Sequence, residues 1–147
     1  TVLRREIELS NSNNNGFAVL LIDLDHFKQI NDNHGHEAGD RALQQVASTL
    51  SQYTRGSDYL FRYGGEEFVA VVVGVNLVQS CAIAENLRNL IANQPLQLAN
   101  GTTLQMTASI GVALFDGHPD YERLMARADA AMYQAKHAGR NRVVASQ

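Results

Sequence analysis

Two adjacent glutamates in an apolar run are the first residues of this sequence whose types and spacing could do chemistry. Glu66 and Glu67 stand in RYGGEEFVAVVV (62–73), directly after the pair Gly64-Gly65. Adjacent carboxylates repel one another, and β-strands disfavour glutamate. Taken alone, this pattern favours the solvated tip of a hairpin, where charge costs little.

A third carboxylate changes that interpretation. Asp23 ends another apolar run, FAVLLID (17–23), and a charge on an apolar strand requires a partner. If this strand lies beside the hairpin, Asp23, Glu66 and Glu67 converge, and three clustered carboxylates require a cation. Oxygen ligands of this kind select Mg²⁺, which commonly also binds substrate phosphates. The pattern therefore indicates metal-assisted phosphoryl or nucleotidyl transfer.

Length and composition narrow the class of protein. The 147 residues predict one domain, 1–147, with enough apolar residues for a core. The net charge of -3, with 12 Lys and Arg against 15 Asp and Glu, argues against a surface for duplex nucleic acid. One cysteine excludes an internal disulfide and fits a reducing compartment, and the apolar runs are too short to span a membrane. We expect a cytoplasmic domain without membrane contact.

The elements that must position the carboxylates follow from hydrophobic periodicity. The pattern predicts an α+β fold with a central, mostly antiparallel sheet flanked by helices, and we expect those helices on one side of the sheet. The Gly64-Gly65 link predicts a tight turn that needs positive φ, and allows a large group to approach the backbone. The remaining predicted elements are the end of a helix in LRREIELS (3–10), a strand at 17–23, helices at 37–53, from Asn76 and from Pro119 to Gly139, a hairpin at Asn100-Gly101 and a closing strand NRVVAS (141–146).

Four ordered motifs carry a resemblance to a known family. GGEEF (64–68) resembles the signature of the GGDEF family, the diguanylate cyclases, with glutamate at the variable third position. The blocks DLDHFKQINDNHGHEAGDRAL (23–43), SIGVA (109–113) and ADAAMYQAKHAGRNRV (128–143) resemble further family blocks in the same order. The resemblance implies a palm-like, ferredoxin-like sheet similar to those of adenylate cyclases and polymerases.

The resemblance also implies an activity, which is the condensation of two GTP into cyclic di-GMP and two pyrophosphates in a bacterial cytoplasm. Each half-site binds one GTP, so a homodimer is implied, with the 3′-hydroxyl of one GTP attacking the α-phosphorus of the other. Two Mg²⁺ ions, or Mn²⁺ in their place, are expected on Asp23, the carbonyl of Leu24, and Glu67. Glu66 is expected beside them, where it helps to deprotonate the attacking hydroxyl.

Family positions also assign nucleotide contacts. The residues assigned to the triphosphate are His26, Phe27, Lys28, Lys136 and Arg140, and those assigned to guanine are Asn31 and Asp40. Backbone amides at a helix start suit phosphate. A carboxylate can accept from the ring N–H and amino group of guanine together, whereas adenine presents an acceptor at that ring position and would repel it. Read singly, Lys136 is an ordinary favourable charge at a helix C-terminus, and Asn31 is an ordinary turn residue.

Arg55 and Asp58, in RGSD (55–58), resemble the family's product-inhibition site, where both would bind guanine of cyclic di-GMP. The alternative is a surface salt bridge that contributes little. The family often completes this site with an arginine on the next helix, where Asn86 stands here, with Arg88 nearby. This departure changes the expected geometry of the site.

The family's usual opening segment is absent, which predicts an output domain that is trimmed at its N-terminus and lacks its sensor and dimerisation element. GHPDYERL (117–124) resembles cyclases coupled to a globin sensor. We expect the isolated domain to be mostly monomeric. Two other functions stay open: a non-catalytic module that binds GTP or cyclic di-GMP, and a polymerase-like palm. The intact acidic residues argue against the first, and the acidic balance without interleaved aromatic and basic residues argues against the second.

Overall fold

The computed structural model describes residues 2, 3, 5, 16–55 and 58–146. Residues 2, 3 and 5 are helical, whereas most of the predicted helix end at 3–10 lies outside the described residues. The remaining elements, in chain order, are β1 (Phe17–Leu24), α1 (Phe27–His34), α2 (His36–Tyr53), β2 (Tyr59–Gly64), β3 (Glu67–Val73), α3 (Leu77–Ala92), β4 (Leu96–Gln97), β5 (Thr103–Leu104), β6 (Ala108–Leu114), α4 (Tyr121–His137) and β7 (Val143–Ala145).

The main sheet has the strand order β2-β3-β1-β6-β7. β1 is antiparallel to both of its neighbours, β3 and β6, and only β7 adds a parallel pairing. β4 and β5 form a separate two-stranded ribbon. The prediction of a mostly antiparallel sheet in an α+β fold is therefore confirmed, with the apolar strand β1 at its centre.

Helices cover both faces of the sheet, so the prediction that they pack on one side is wrong. All eight residues of β1 are buried. Its even-numbered residues, Ala18 to Leu24, belong to a core with α1, α2 and α3, whereas Phe17, Val19 and Leu21 pack with α4. A strand that is apolar on both faces needs cover on both faces.

The close approach of α4 to the sheet depends on a glycine. A Cβ atom on Gly111 of β6 would overlap the backbone of Ala128 and Met132 in α4. No side chain larger than hydrogen fits there without moving the helix. This contact fixes the height of α4 over the sheet, and the last turn of α4 carries Lys136.

The GGEE hairpin differs from the predicted turn. Gly64 is the register partner of Glu67, so the two-residue loop is Gly65-Glu66, and the pairing shifts between Arg62 and Gly64. Neither Gly64 nor Gly65 has positive φ, and a Cβ on either would meet no atom within 4 Å. The chain reverses at Gly65-Glu66, next to this register shift, without left-handed residues, which corrects the predicted need for positive φ. The open space above both glycines remains compatible with a bound group.

The other predicted boundaries follow ordinary capping chemistry. Asn76 and Gln79 form a reciprocal capping box at the start of α3. Gly139, with φ of 123°, follows the end of α4. In the part of the chain that the structure describes, no helix is long and apolar enough to cross a bilayer.

Candidate active site

Two strand pairings bring the predicted carboxylates to one edge of the sheet. Asp23 in β1 is the register partner of Glu67 in β3 and of Ser109 in β6. The N–H of Leu24 donates to the carbonyl of Glu66 at 3.2 Å. The end of the central strand is therefore held directly against the GGEE turn, as the sequence predicted.

Asp23 is a buried carboxylate with one cationic partner. Its residue is 2% exposed, and Lys136 Nζ donates to its Oδ2 at 2.5 Å. The pKa of Asp23 is raised from 3.8 to about 6. Burial is the largest cause, Lys136 opposes it, and the charges of Glu66 and Glu67 add to it. Lys136 therefore does not fully offset the cost of ionising this buried carboxylate, and additional positive charge near Asp23 would lower its pKa.

The donor atoms at this edge fit a hard divalent cation. They are carboxylate oxygens of Asp23 and Glu67 and the carbonyl oxygen of Leu24, which is the ligand chemistry of Mg²⁺. Among the described residues, however, no group of three or more His, Cys, Asp or Glu side chains is already arranged around a metal position. The cation that contacts Asp23 in the structure is the ammonium group of Lys136.

The predicted phosphate contacts lie at the starts and ends of two helices. α1 begins directly after β1, with His26 in the left-handed region at φ of 57°. The first N–H groups of a helix lack intrahelical acceptors, so the amides of Phe27 and Lys28 suit an anion. Lys136 lies in the last turn of α4, and the exposed Arg140 follows on the next turn. In the structure Lys136 contacts Asp23, and its phosphate contact stays a prediction.

The predicted guanine contacts lie on neighbouring helices. The exposed Asp40 of α2 lines a cleft of about 400 Å³ between α2 and the β2–β3 hairpin, together with Leu43, Phe61, Arg62 and Phe68 among others. Asn31 of α1 lies outside that lining and packs against Gly39, where a Cβ would overlap the Asn31 Oδ1 atom. The structure thus places Asp40 beside a cleft lined by both polar and apolar side chains. Gly39 is the residue that leaves room for Asn31.

Arg55 and Asp58 form a bidentate ion pair, with Nε–Oδ2 and Nη2–Oδ1 distances of 2.9 and 3.0 Å. The pair also holds the end of β3, because Asp58 accepts from the N–H of Val73 and Arg55 donates to the Val73 carbonyl. The Asp58 side chain is 3% exposed, whereas that of Arg55 is 50% exposed. Asp58 therefore has a structural function in this state, and Arg55 presents the accessible part of the predicted product site.

Position 86, where the family often has arginine, is an exposed asparagine, and the nearby Arg88 is already engaged. Arg88 contacts Glu85, donates to Asn89 Oδ1 at 2.9 Å and donates to Asn141 Oδ1 at 2.6 Å. Arg88 therefore ties α3 to the turn after α4. It is not free to complete a site with Arg55.

Sequence reasoning missed two residues beside the carboxylates. Arg62 donates to the carbonyl of Gly65 at 2.7 and 3.2 Å, which fixes the turn that carries Glu66. Asp25 is 4% exposed and accepts three hydrogen bonds from two segments, the start of β6 and the turn after α4. The available signal for Asp25 was the pair of aspartates in DLD (23–25), since two charges at the end of an apolar strand both require partners.

Comparison with known proteins agrees with the geometry. The family described as diguanylate cyclase, GGDEF domain, matches residues 1–142. Over 143 residues the chain is 45% identical to diguanylate cyclase DosC of Escherichia coli K12, which covers 97% of this chain and 31% of DosC. Diguanylate cyclase DgcP of Pseudomonas aeruginosa is 40% identical over 142 residues, or 95% of this chain and 21% of DgcP. The chain thus spans less than a third of the length of these relatives.

Solved structures give the same result. The GGDEF domain of DgcB from Caulobacter crescentus, in complex with c-di-GMP, superposes with a TM-score of 0.94 at 31% identity, covering 98% of this chain and 85% of that chain. The active GGEEF domain of a diguanylate cyclase from Vibrio cholerae superposes with a TM-score of 0.90 at 28% identity, covering 99% and 92%. Fold, motif order and site geometry lead to one conclusion: this chain belongs to the GGDEF family of diguanylate cyclase domains.

Proposed function

We propose that this domain is a Mg²⁺-dependent diguanylate cyclase that condenses two GTP into cyclic di-GMP and two pyrophosphates. The observation that carries the proposal is the register pairing of Asp23 with Glu67, with Lys136 neutralising Asp23. A solvated hairpin tip would not need a buried aspartate opposite it. Family membership supplies the reaction class, and the relatives' names supply the product.

The position of each residue determines the role that we assign to it. Asp23, the carbonyl of Leu24 and Glu67 would hold the metal ions, with Glu66 at the adjoining turn as acceptor of the hydroxyl proton. Bound Mg²⁺ supplies charge neutralisation at the α-phosphate and lowers the pKa of the attacking hydroxyl. The chain itself binds and orients GTP. The α1 amides with Lys136 and Arg140 would hold the triphosphate, and Asp40 with Asn31 would select guanine.

The bond changes require two copies of the domain. The 3′-oxygen of each GTP forms a bond to the α-phosphorus of the other, and the bond from each α-phosphorus to pyrophosphate breaks. Two such steps close the ring, so both half-sites face each other in an isologous dimer. We propose that the isolated domain is mostly monomeric and that an N-terminal sensor, of the globin type or another, brings copies together. Cyclic di-GMP would inhibit from Arg55 and Asp58, and the enzyme would act in the bacterial cytoplasm.

The decisive experiment is product identification. The protein at high concentration is incubated with GTP and Mg²⁺, and the products are separated by liquid chromatography and identified by mass spectrometry. We expect cyclic di-GMP and two pyrophosphates for each cyclic di-GMP. Guanine nucleotide binding without turnover, at every protein concentration tried and also in a forced dimer, would instead support the non-catalytic binding module.

A further inference from the structure

A second buried carboxylate lies two residues after Asp23 and has no part in the proposed reaction. Asp25 accepts from Ser109 Oγ at 2.6 Å, from Thr107 Oγ1 at 2.8 Å and from the backbone N–H of Asn141 at 3.0 Å. Its own N–H donates to the Thr107 carbonyl at 2.9 Å. One side chain therefore joins the end of β1, the approach to β6 and the turn after α4.

The turn held by Asp25 has an unfavourable backbone conformation. Gly139, Arg140 and Asn141 all have positive φ, at 123°, 63° and 47°. Glycine adopts such angles readily and asparagine more readily than most residues, but arginine does so at an energetic cost, so this run of three needs outside support. Without that support, we expect the Arg140–Asn141 segment to relax towards ordinary φ values.

Four hydrogen bonds among the described residues support the Arg140–Asn141 segment, and one of them comes from the metal-binding edge. Arg142 Nε donates to the Arg140 carbonyl at 3.1 Å, which is local to the turn. The N–H of Arg140 donates to the Ala135 carbonyl at 3.0 Å, which is local to the end of α4. Arg88 donates to the Asn141 side chain from α3. The bond from the Asn141 N–H to Asp25 is the contact that ties the turn to β1, whose other carboxylate, Asp23, is the candidate metal ligand.

The turn carries a cation that is available to an anion. Arg140 is exposed, and within residues 16–55 and 58–146 no hydrogen bond or ion pair engages its guanidinium. Lys136, one turn earlier on α4, contacts Asp23. Asp23 and Asp25 both lie at the end of β1. Asp23 thus contacts the cation in the last turn of α4, and Asp25 holds the following turn, which carries the second cation.

We propose that Asp25 is a positioning residue for the triphosphate. By accepting the Asn141 N–H, it holds the left-handed turn in place, so that Arg140 is directed to the phosphates while Asp23 binds metal. This inference rests on the proposed function, because it uses Arg140 as a phosphate contact. It assigns Asp25 no contact with substrate, and its effect passes through the backbone of Arg140 and Asn141.

The test compares two ligands that share guanine but differ in phosphate. Dissociation constants for GMP and for guanosine 5′-(α,β-methylene)triphosphate, which cannot release pyrophosphate, are measured with Mg²⁺ by calorimetry. The ratio of the GMP constant to the triphosphate constant reports how much the β- and γ-phosphates contribute to binding. We expect Arg140→Ala to lower this ratio about tenfold, as loss of one hydrogen-bonded charge does. Asp25→Ala should lower it similarly, and the double variant should be no worse than either single variant.

Matched variants separate positioning from general destabilisation. Ser109→Ala removes a donor to the same carboxylate but leaves the Asn141 contact, so it should keep the parent ratio. Asp25→Asn should also keep most of it, since the amide oxygen can accept from Asn141 while its NH₂ donates to the Ser109 hydroxyl. If Asp25→Ala does not fold, Asp25→Ser replaces it. Serine keeps a hydroxyl at this position but is one bond shorter than aspartate, so we expect it to lose the bond from the Asn141 N–H.

The outcomes distinguish this inference from the proposed function. If the parent binds the triphosphate no better than GMP, the assigned phosphate site is wrong, and the inference fails with it. A second outcome is that the parent prefers the triphosphate and Arg140→Ala abolishes that preference, but Asp25→Ala and Asp25→Ser retain it. The positioning function of Asp25 is then wrong, and the proposed function stands. Additive losses in the double variant would likewise overturn an action through Arg140.

Discussion

The ammonium group of Lys136 lies 2.5 Å from the carboxylate of Asp23, so a residue expected to bind phosphate neutralises a residue expected to bind metal. Asp23 is almost fully buried and lies opposite Glu67, whose charge opposes its ionisation. In the metal-free chain Lys136 stabilises the ionised form of this carboxylate.

The first prediction concerns Asp23 and pH. Its pKa is raised to about 6 in the fold, so the ionised form is less favourable in the folded state than in the unfolded state. Metal-free stability should therefore fall as pH rises from about 4 to about 6, by roughly 3 kcal/mol from this group. Asp23→Asn should remove that fall and abolish stabilisation by Mg²⁺. Urea unfolding in EDTA between pH 4 and 7.5 measures the pH dependence of stability. Thermal melting with added Mg²⁺ measures the stabilisation by the metal.

The control for Asp23 is Asp129→Asn, which removes an exposed carboxylate from α4. It should keep the parent's pH profile and its response to Mg²⁺. A parent and an Asp23→Asn variant with the same pH dependence would contradict the electrostatic assignment.

The second prediction concerns Glu67. Glu67→Gln should lower turnover by at least about 100-fold, as expected when charge stabilisation of the transition state is lost, while the fold survives. The residue begins β3 and is only partly buried, so the amide costs little stability. Initial rates of cyclic di-GMP formation and circular dichroism measure the two effects. Glu122→Gln, an exposed change in the first turn of α4, should leave both unchanged. A Glu67→Gln variant with near-parental rates would contradict the metal assignment.

The third prediction concerns Gly39 and guanine. Gly39 has ordinary helical φ, so alanine is tolerated by the backbone and would favour the helix. Its Cβ would, however, displace the Asn31 side chain. Gly39→Ala should therefore raise KM for GTP with little effect on kcat or stability, and Asp40→Ala should do the same. ATP should not compete with GTP in the parent.

Steady-state kinetics with GTP as substrate and ATP as competitor tests both assignments. Ala38 is a buried neighbour on the same helix, and Ala38→Gly provides a control that loosens α2 without touching Asn31. If Gly39→Ala and Asp40→Ala both retain the parental KM, or if ATP binds as well as GTP, guanine is recognised elsewhere.

The fourth prediction concerns product inhibition. Arg55→Ala should relieve inhibition by cyclic di-GMP without lowering the initial rate, because half of the Arg55 side chain is exposed and it lies apart from the carboxylate edge. Asp58→Ala should also relieve inhibition, but it should destabilise the fold by about 1–3 kcal/mol, since the Val73 N–H loses its acceptor. Product titration by calorimetry and urea unfolding measure these effects. Unchanged product affinity in Arg55→Ala would place the inhibitory site elsewhere.

The fifth prediction concerns assembly. Specific activity of the isolated domain should rise with protein concentration, because each turnover needs two half-sites. Fusing a coiled-coil dimer before Thr1 should raise activity much further, since tethering provides an effective concentration of about the millimolar range. Rates over a wide range of protein concentration, with sedimentation in parallel, provide the measurement. Constant specific activity of a monomeric species would show that one chain suffices.

The sequence by itself determined the fold class, the family and the identity of the acidic edge. A strand as apolar as FAVLLI needs cover on both faces, so its place at the centre of a sheet follows from its composition. An aspartate at its end and two glutamates after Gly64-Gly65 are together more easily explained by a shared site than by a solvated hairpin tip. These are properties of residue type and spacing, which are visible without coordinates.

Only the tertiary structure decided which partner each charge has. Lys136 and Asp23 are separated by 113 positions, and Asp25 and Asn141 by 116, so no local pattern predicts either contact. The hairpin loop moved by one residue because a bulge, which depends on the pairing of both strands, replaced the expected turn. Which helices pack on which face was also decided in the tertiary structure, where α1, α2 and α3 pack on one side of β1 and α4 on the other. Long-range pairing is a property of the assembled fold, and the function of a buried charge follows from it.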